Sequence, residues 1–118
     1  VGKKIKVELS IDPDLKRIDM NRAVPCGLSI NELLSNAFKY AFENKKNGSI
    51  EVDFKLLKKQ AHKFQLSVKD DGIGLPGKVA IDSPDTLGLQ LVQTLVEQLD
   101  GVLKVNQKKG TEFIIQFS

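Results

Sequence analysis

Three groups of residues in this 118-residue sequence have the types and spacing to do chemistry. The first lies in Ser29 to Phe42, SINELLSNAFKYAF. At 100° per residue Glu32, Asn36, Lys39 and Glu43 gather on one stripe of a helix. Asparagine is a poor helix former because its amide competes for the backbone, yet Asn36 stands mid-helix, one turn after a carboxylate and just before a lysine. Carboxylate, amide oxygen and ammonium on one stripe could hold a hydrated Mg²⁺ and a phosphate tail. An ordinary solvated helix face is the competing reading. The second group is Asp70-Asp71-Gly72-Ile73-Gly74, a carboxylate followed by two glycines that permit positive φ and close approach of a ligand to the backbone; a capped turn with a satisfied aspartate is its plain alternative. The third is Gly110-Thr111, a hydroxyl beside unencumbered backbone, which is also an unremarkable way to start a strand.

The elements around these groups follow from periodicity. Lys4 to Ile11 alternates, with Ile5, Val7, Leu9 and Ile11 on one side, which predicts a half-buried strand. Asp12-Pro13-Asp14 is a turn, and a short second strand through Ile18 and Met20 is expected to pair antiparallel. The main helix follows, its start blurred by Val24-Pro25, with Pro25 near the first turn. Its buried face is expected from Ile30, Leu33, Leu34, Ala37, Phe38 and Ala41. Asn47-Gly48 reads as a turn, then Ser49–Leu57 and His62–Asp70 alternate as strands. A second helix over about Thr86–Leu99 should bury Leu91, Val92, Leu95, Val96 and Leu99, closed by Gly101 in a left-handed cap. Strands over Val102–Asn106 and Thr111–Phe117 complete the chain. Each strand has one apolar and one polar row, which predicts a two-layer α/β sandwich with helices on one face of a mixed, mainly antiparallel sheet.

That alternation sharpens the chemistry. Phe64, Leu66 and Val68 face the core, so Asp70 must face it too, and a buried carboxylate needs partners. Asp71 takes the outward phase. Thr111 shares the inward phase of Phe113, Ile115 and Phe117. Between the second group and the second helix, Asp71–Asp85 is long, irregular and rich in Gly and Pro, as functional loops are. It ends in Ser83-Pro84-Asp85-Thr86, where a helix start offers free amides to a phosphate. Gly88 costs about 1 kcal/mol against alanine in a helix, tolerable where something approaches closely. Lys78 could reach phosphates, or simply be solvated.

Composition narrows the class. The length fits one domain spanning 1–118, and 41% hydrophobic with 28% charged residues is ordinary for a globular chain. No apolar run has bilayer length and no secretory signal opens the sequence. The single cysteine, Cys26, excludes an internal disulfide and suits a reducing compartment; it reads as a small buried hydrophobe. A net charge of +3, with Lys58, Lys59 and Lys63 the one cluster, lacks the basic face and stacking aromatics of a nucleic-acid binder. His62, the only histidine, has no partner set for a metal or catalytic pair, and no Ser-His-Asp set or Gly-x-x-x-x-Gly-Lys loop occurs. The opening at Val1, directly in a strand pattern, is expected of a domain from a longer protein.

The order of the motifs resembles one superfamily. Glu32-Leu33-Leu34-Ser35-Asn36-Ala37-Phe38-Lys39-Tyr40 is similar to the N box of the GHKL ATPases, and Asp70-Asp71-Gly72-Ile73-Gly74 to their first glycine box. Leu87-Gly88-Leu89 resembles the second glycine box and Gly110-Thr111 the last. Within that group Asn-Ala-x-Lys-Tyr and Leu-Gly-Leu-Gln-Leu-Val look most like sensor histidine kinases of the short-lid kind. The chain departs from the pattern in three places: Thr86 replaces the earlier glycine of the second box, no phenylalanine lies between Gly74 and Gly88, and no phosphoacceptor histidine motif is present.

The resemblance implies a Bergerat fold that binds Mg·ATP between the helix layer and a lid. It implies that Asp70 accepts from the adenine amino group, that Thr111 supports the same end of the ring, and that Tyr40 lines adenine or ribose. It further implies that Asn36 binds Mg²⁺ through its amide oxygen, that Lys39 faces the phosphates, and that Gly72, Gly74 and the amides around Thr86, Leu87 and Gly88 wrap the nucleotide; Ile73, Leu89 and the loop residue Lys78 complete the candidate cofactor-binding set. Glu32 would orient or deprotonate a histidine that attacks the γ-phosphate. That histidine would belong to a separate dimerisation domain, of the same or a partner chain, with a response regulator downstream and a cytoplasmic location for this domain. No nucleic-acid or membrane contact is expected of it. A GHKL serine kinase or hydrolytic ATPase, and a non-catalytic nucleotide-responsive binding module, are the alternatives.

Overall fold

A computed structural model of the chain describes residues 4–13, 15, 18–38, 47–57, 63–72, 87–107 and 110–118. Strand β1 (Lys4–Ile11) is followed by helix α1 (Met20–Asn36), β2 (Asn47–Leu56), β3 (Phe64–Asp70), helix α2 (Leu87–Gln98), β4 (Val102–Asn106) and β5 (Thr111–Phe117). The strands form one sheet in the order β1-β2-β3-β5-β4. β1 runs parallel to β2, and the other neighbours are antiparallel. The two helices pack on one another against this sheet, the expected two-layer sandwich.

The strand expected at Ile18 and Met20 does not form. Asp19 caps α1 instead: its carboxylate accepts from the Arg22 amide at 3.0 Å and pairs with the Arg22 guanidinium. Two alternating apolar residues are outweighed by a side chain that satisfies a free helix amide. α1 therefore begins at Met20, and Pro25 lies inside it rather than near its first turn. The partner of β1 is β2, in parallel, with Asn47 and Gly48 paired to Lys4 and Ile5 rather than turning the chain. A parallel pair needs a long crossover, and α1 supplies it.

The core gathers Ile50 and Val52 of β2, Leu66 and Val68 of β3, Phe113, Ile115 and Phe117 of β5, Cys26 and Leu33 of α1, and Leu89, Val92, Val96 and Leu99 from α2 and its end. Phe117 stacks on Phe64 with centroids 5.1 Å apart, and Phe54 meets both rings edge-on. Two expected core positions are exposed: Leu91 on α2 and Phe38 at the end of α1. Of the row expected inward on β1, Val7, Leu9 and Ile11 are exposed and only Ile5 packs against the core. β1 is the edge strand, and two helices do not cover all five strands.

α2 ends differently from expectation. Asp100, not Gly101, takes the left-handed conformation, with φ 52°. The Asp100 amide donates to Glu97 O at 3.0 Å and the Gly101 amide to Val96 O at 3.0 Å, a Schellman closure with aspartate in the glycine's place. Gly101 serves packing: a Cβ there would lie 2.6 Å from Gln116 O.

Candidate nucleotide site

β3 delivers Asp70 to the middle of the sheet, where it pairs with Ile50 on one side and Thr111 on the other. Alternation does bring it inward. Leu66, Val68 and Asp70 are buried while Lys69 and Asp71 are exposed. Asp70 is 6% exposed and Thr111 3%. Burial of a carboxylate is tolerated because donors meet it. Asp70 Oδ1 accepts from the Gly72 amide at 2.9 Å and the Thr111 amide at 3.3 Å. One oxygen is thus held by backbone on both sides, which fixes the carboxylate's plane.

Gly110 makes this arrangement possible. Its φ is +79°, and a Cβ would fall 2.1 Å from Asp70 O and 3.1 Å from Asp70 Oδ1. No side chain fits between these strands. Sequence order alone puts Gly110 beside Thr111 and is silent on its part in holding Asp70. The available signal was a glycine between a basic turn and an inward threonine.

Three buried polar atoms in or beside these motifs have no hydrogen-bond partner among the described residues: Ser29 Oγ, Asn36 Nδ2 and Thr111 Oγ1. A buried hydroxyl or amide left unpaired costs about 1–3 kcal/mol, so each has the character of a group reserved for a ligand or water. Asn36 was expected on the solvated stripe of α1; it is 7% exposed and turns inward with Cys26, Ser29, Leu33 and Ala37. Glu32, one turn earlier, is half-buried. After Asn36 the helix widens into a π-type turn at Ala37 and Phe38, a local change common near functional residues.

The remaining expected site residues divide in two. Leu89 is buried in the core, and the backbone of Leu87 and Gly88 forms the first turn of α2. Lys39, Tyr40, Ile73, Gly74, Lys78 and Thr86 lie outside the described residues, as do Ala41, His62 and most of the Asp71–Asp85 loop. Asp71 itself has a structural task. Its carboxylate accepts from the Ser49 amide at 2.9 Å and the Ser49 hydroxyl at 3.2 Å, tying the end of β3 to β2. Among the described residues no cluster of His, Cys, Asp and Glu suits a metal. No helix there is long and apolar enough to cross a membrane. A cavity of about 450 Å³ lies between Asn21, Arg22, Gln98, Leu99, Asp100 and Ser118. It sits at the opposite end of β5 from Thr111, about 20 Å away at the rise of a strand.

A buried carboxylate held by two amides, an unpartnered hydroxyl on the neighbouring strand and an unpartnered amide on α1 are the groups here whose chemistry suits N–H donors and oxygen acceptors. Residues 24–118 match the family described as histidine kinase-, DNA gyrase B-, and HSP90-like ATPase, and the chain belongs to it. ATP binding comes with that membership. Similar proteins within the family include sensor kinases. The sensor histidine kinase PdtaS of Mycobacterium tuberculosis is 35% identical over 107 residues, covering 87% of this chain and 21% of that protein. Blue-light-activated histidine kinase 2 of Erythrobacter litoralis is 26% identical, over 92% of this chain and 31% of that protein. The histidine kinase domain of the E. litoralis EL346 blue-light-activated kinase superposes with a TM-score of 0.84 at 27% identity, over 96% of this chain and 54% of that one. The chain is accordingly an ATP-binding domain of that family, similar to the corresponding part of sensor histidine kinases, and it spans about a fifth to a third of the length of these curated relatives.

Proposed function

We propose that this chain positions Mg·ATP so that a histidine on a separate helical dimerisation domain attacks the γ-phosphate. The observation that carries the reading is the buried Asp70 carboxylate, one oxygen fixed by two amides and flanked by the unpartnered Thr111 hydroxyl. Asp70 accepts from the adenine amino group, and Thr111 Oγ1 holds the same end of the ring directly or through water. Tyr40 lines the adenine or ribose. Gly72, Ile73, Gly74 and the backbone of Thr86, Leu87, Gly88 and Leu89 wrap the nucleotide, and Lys39 and Lys78 face its phosphates.

Asn36 is the residue that would hold a magnesium ion: its amide oxygen would ligate the cation, and its buried, unpartnered N–H would meet a phosphate oxygen. Bound there, Mg²⁺ neutralises phosphate charge and orients the γ-phosphoryl group, the main demand of this chemistry. Glu32, half-buried one turn away, orients or deprotonates the incoming histidine. The partners are then the phosphoacceptor helical domain and a response regulator, and the site of action is the cytoplasm.

Mixing this chain with labelled ATP and a histidine-bearing dimerisation domain from a kinase of this type tests the proposal. Label that is lost in acid and kept in alkali supports it. Acid-stable label on serine would instead favour the serine-kinase reading, and ATP binding without transfer a regulatory module.

A further inference from the structure

The exposed row of β1 calls for an occupant. Val7, Leu9 and Ile11 are 45%, 63% and 56% exposed, while their neighbours across the parallel register, Ile50 and Val52, are buried at 0% and 3%. Paired residues on adjacent strands share a sheet face, so these apolar side chains project on the helix side, beyond the reach of α1 and α2. β1 is also the end of the sheet: among the described residues no strand pairs with its outer side. Edges of this kind are usually blunted by proline, a bulge, a charge pointing inward, or charged side chains along the edge, lysine above all; here the charges of Lys6 and Glu8 disfavour every partner that does not present the opposite charge to each. Lys4–Ile11 contains no proline, pairs residue for residue with β2 without a bulge, and places Lys6 and Glu8 in the phase opposite the apolar row.

We propose that β1 pairs antiparallel with β1 of a second copy of this chain, about a two-fold axis at Val7, joining two five-stranded sheets into one. The charges select this partner and this register. Lys6 Nζ and Glu8 Oε1 lie 2.8 Å apart, on either side of Val7. An axis at Val7 sets Lys6 of each copy against Glu8 of the other, twice. An axis at Lys6 or at Glu8 sets like charges face to face, which is destabilising. An axis at Leu9 drives Ile5 against Pro13, past the end of the strand. Glu8 gains in addition, because within its own sheet it stands opposite Glu51, and a lysine from the second copy offsets that repulsion. On the other face Ile5, Val7 and Leu9 meet Leu9, Val7 and Ile5, so the exposed row becomes a continuous apolar ridge.

One strand pair and one row of side chains bury less than the roughly 1,600 Å² of a standard interface, so the association is weak and reversible. It is independent of the chemistry proposed for the nucleotide site. Sedimentation of the 118-residue chain over a concentration series reaching millimolar tests it. The average mass should climb from that of one chain toward two. Lys6→Glu alone, or Glu8→Lys alone, should leave the chain monomeric at every concentration, and the two together should restore association. Circular dichroism of each variant should match that of the parent. A parent chain that stays monomeric throughout overturns the proposal, as does association that ignores the single swaps or is not recovered by the double one.

Discussion

At the scale of single residues the candidate site depends on how one carboxylate is held. Asp70 is buried, yet its Oδ1 meets two backbone amides, so it lies oriented before any ligand arrives. With Asp70→Asn a charge-assisted acceptor worth roughly 1.5–3 kcal/mol is lost, and ATP affinity measured by calorimetry should fall about 10- to 100-fold. An unchanged affinity would remove Asp70 from the adenine-binding role. Gly110 lies behind that carboxylate, with φ +79° and no space for a Cβ against Asp70. Gly110→Ala should therefore cost at least about 1–3 kcal/mol of stability in urea unfolding and weaken ATP binding as well. Substitution without effect on either would show that the two strands can separate freely at this point.

Among the elements, the helix ends are where local pattern and assembled structure differ most. α2 and the two final strands fall within a residue or so of expectation because long apolar periods and a turn signal agree there. α1 starts earlier than its apolar period alone indicates, because the Asp19 cap outweighs a short alternating stretch. The close of α2 gives a measurable contrast. Asp100 holds a left-handed backbone that glycine adopts without cost, so Asp100→Gly should stabilise the chain by up to about 1 kcal/mol. Gly101→Ala should destabilise it, since the new methyl would meet Gln116 O at 2.6 Å. Thermal unfolding of the two variants should shift in opposite directions; shifts of the same sign would contradict the cap described here.

For the molecule as a whole, the helix layer covers the middle of the sheet and leaves β1 outside. Cys26 is in the covered part, and burial pushes its thiol up from 9.0 to about 11. The folded chain therefore favours the neutral thiol. That contribution to stability is complete below about pH 9 and is lost as pH rises toward about 11, where the unfolded chain gains by ionising. At pH 8 a thiol reagent should modify Cys26 slowly in native buffer and rapidly in denaturant. Fast native labelling would mean that α1 opens readily over the core.

The sequence by itself determined the class of fold, the inward phase of Asp70 and Thr111, and the motif order that marks the ATPase family, because these depend on periods of two and 3.6 and on local residue types. Only the tertiary structure decided that Asn36 turns inward, that Gly110 is required by Asp70, and that the apolar row of β1 is left uncovered on the helix side. Each of those depends on what lies across a gap between elements distant in sequence. The same alternating pattern is core in the centre of a sheet and surface at its edge, and position in the sheet is a property of the assembled chain.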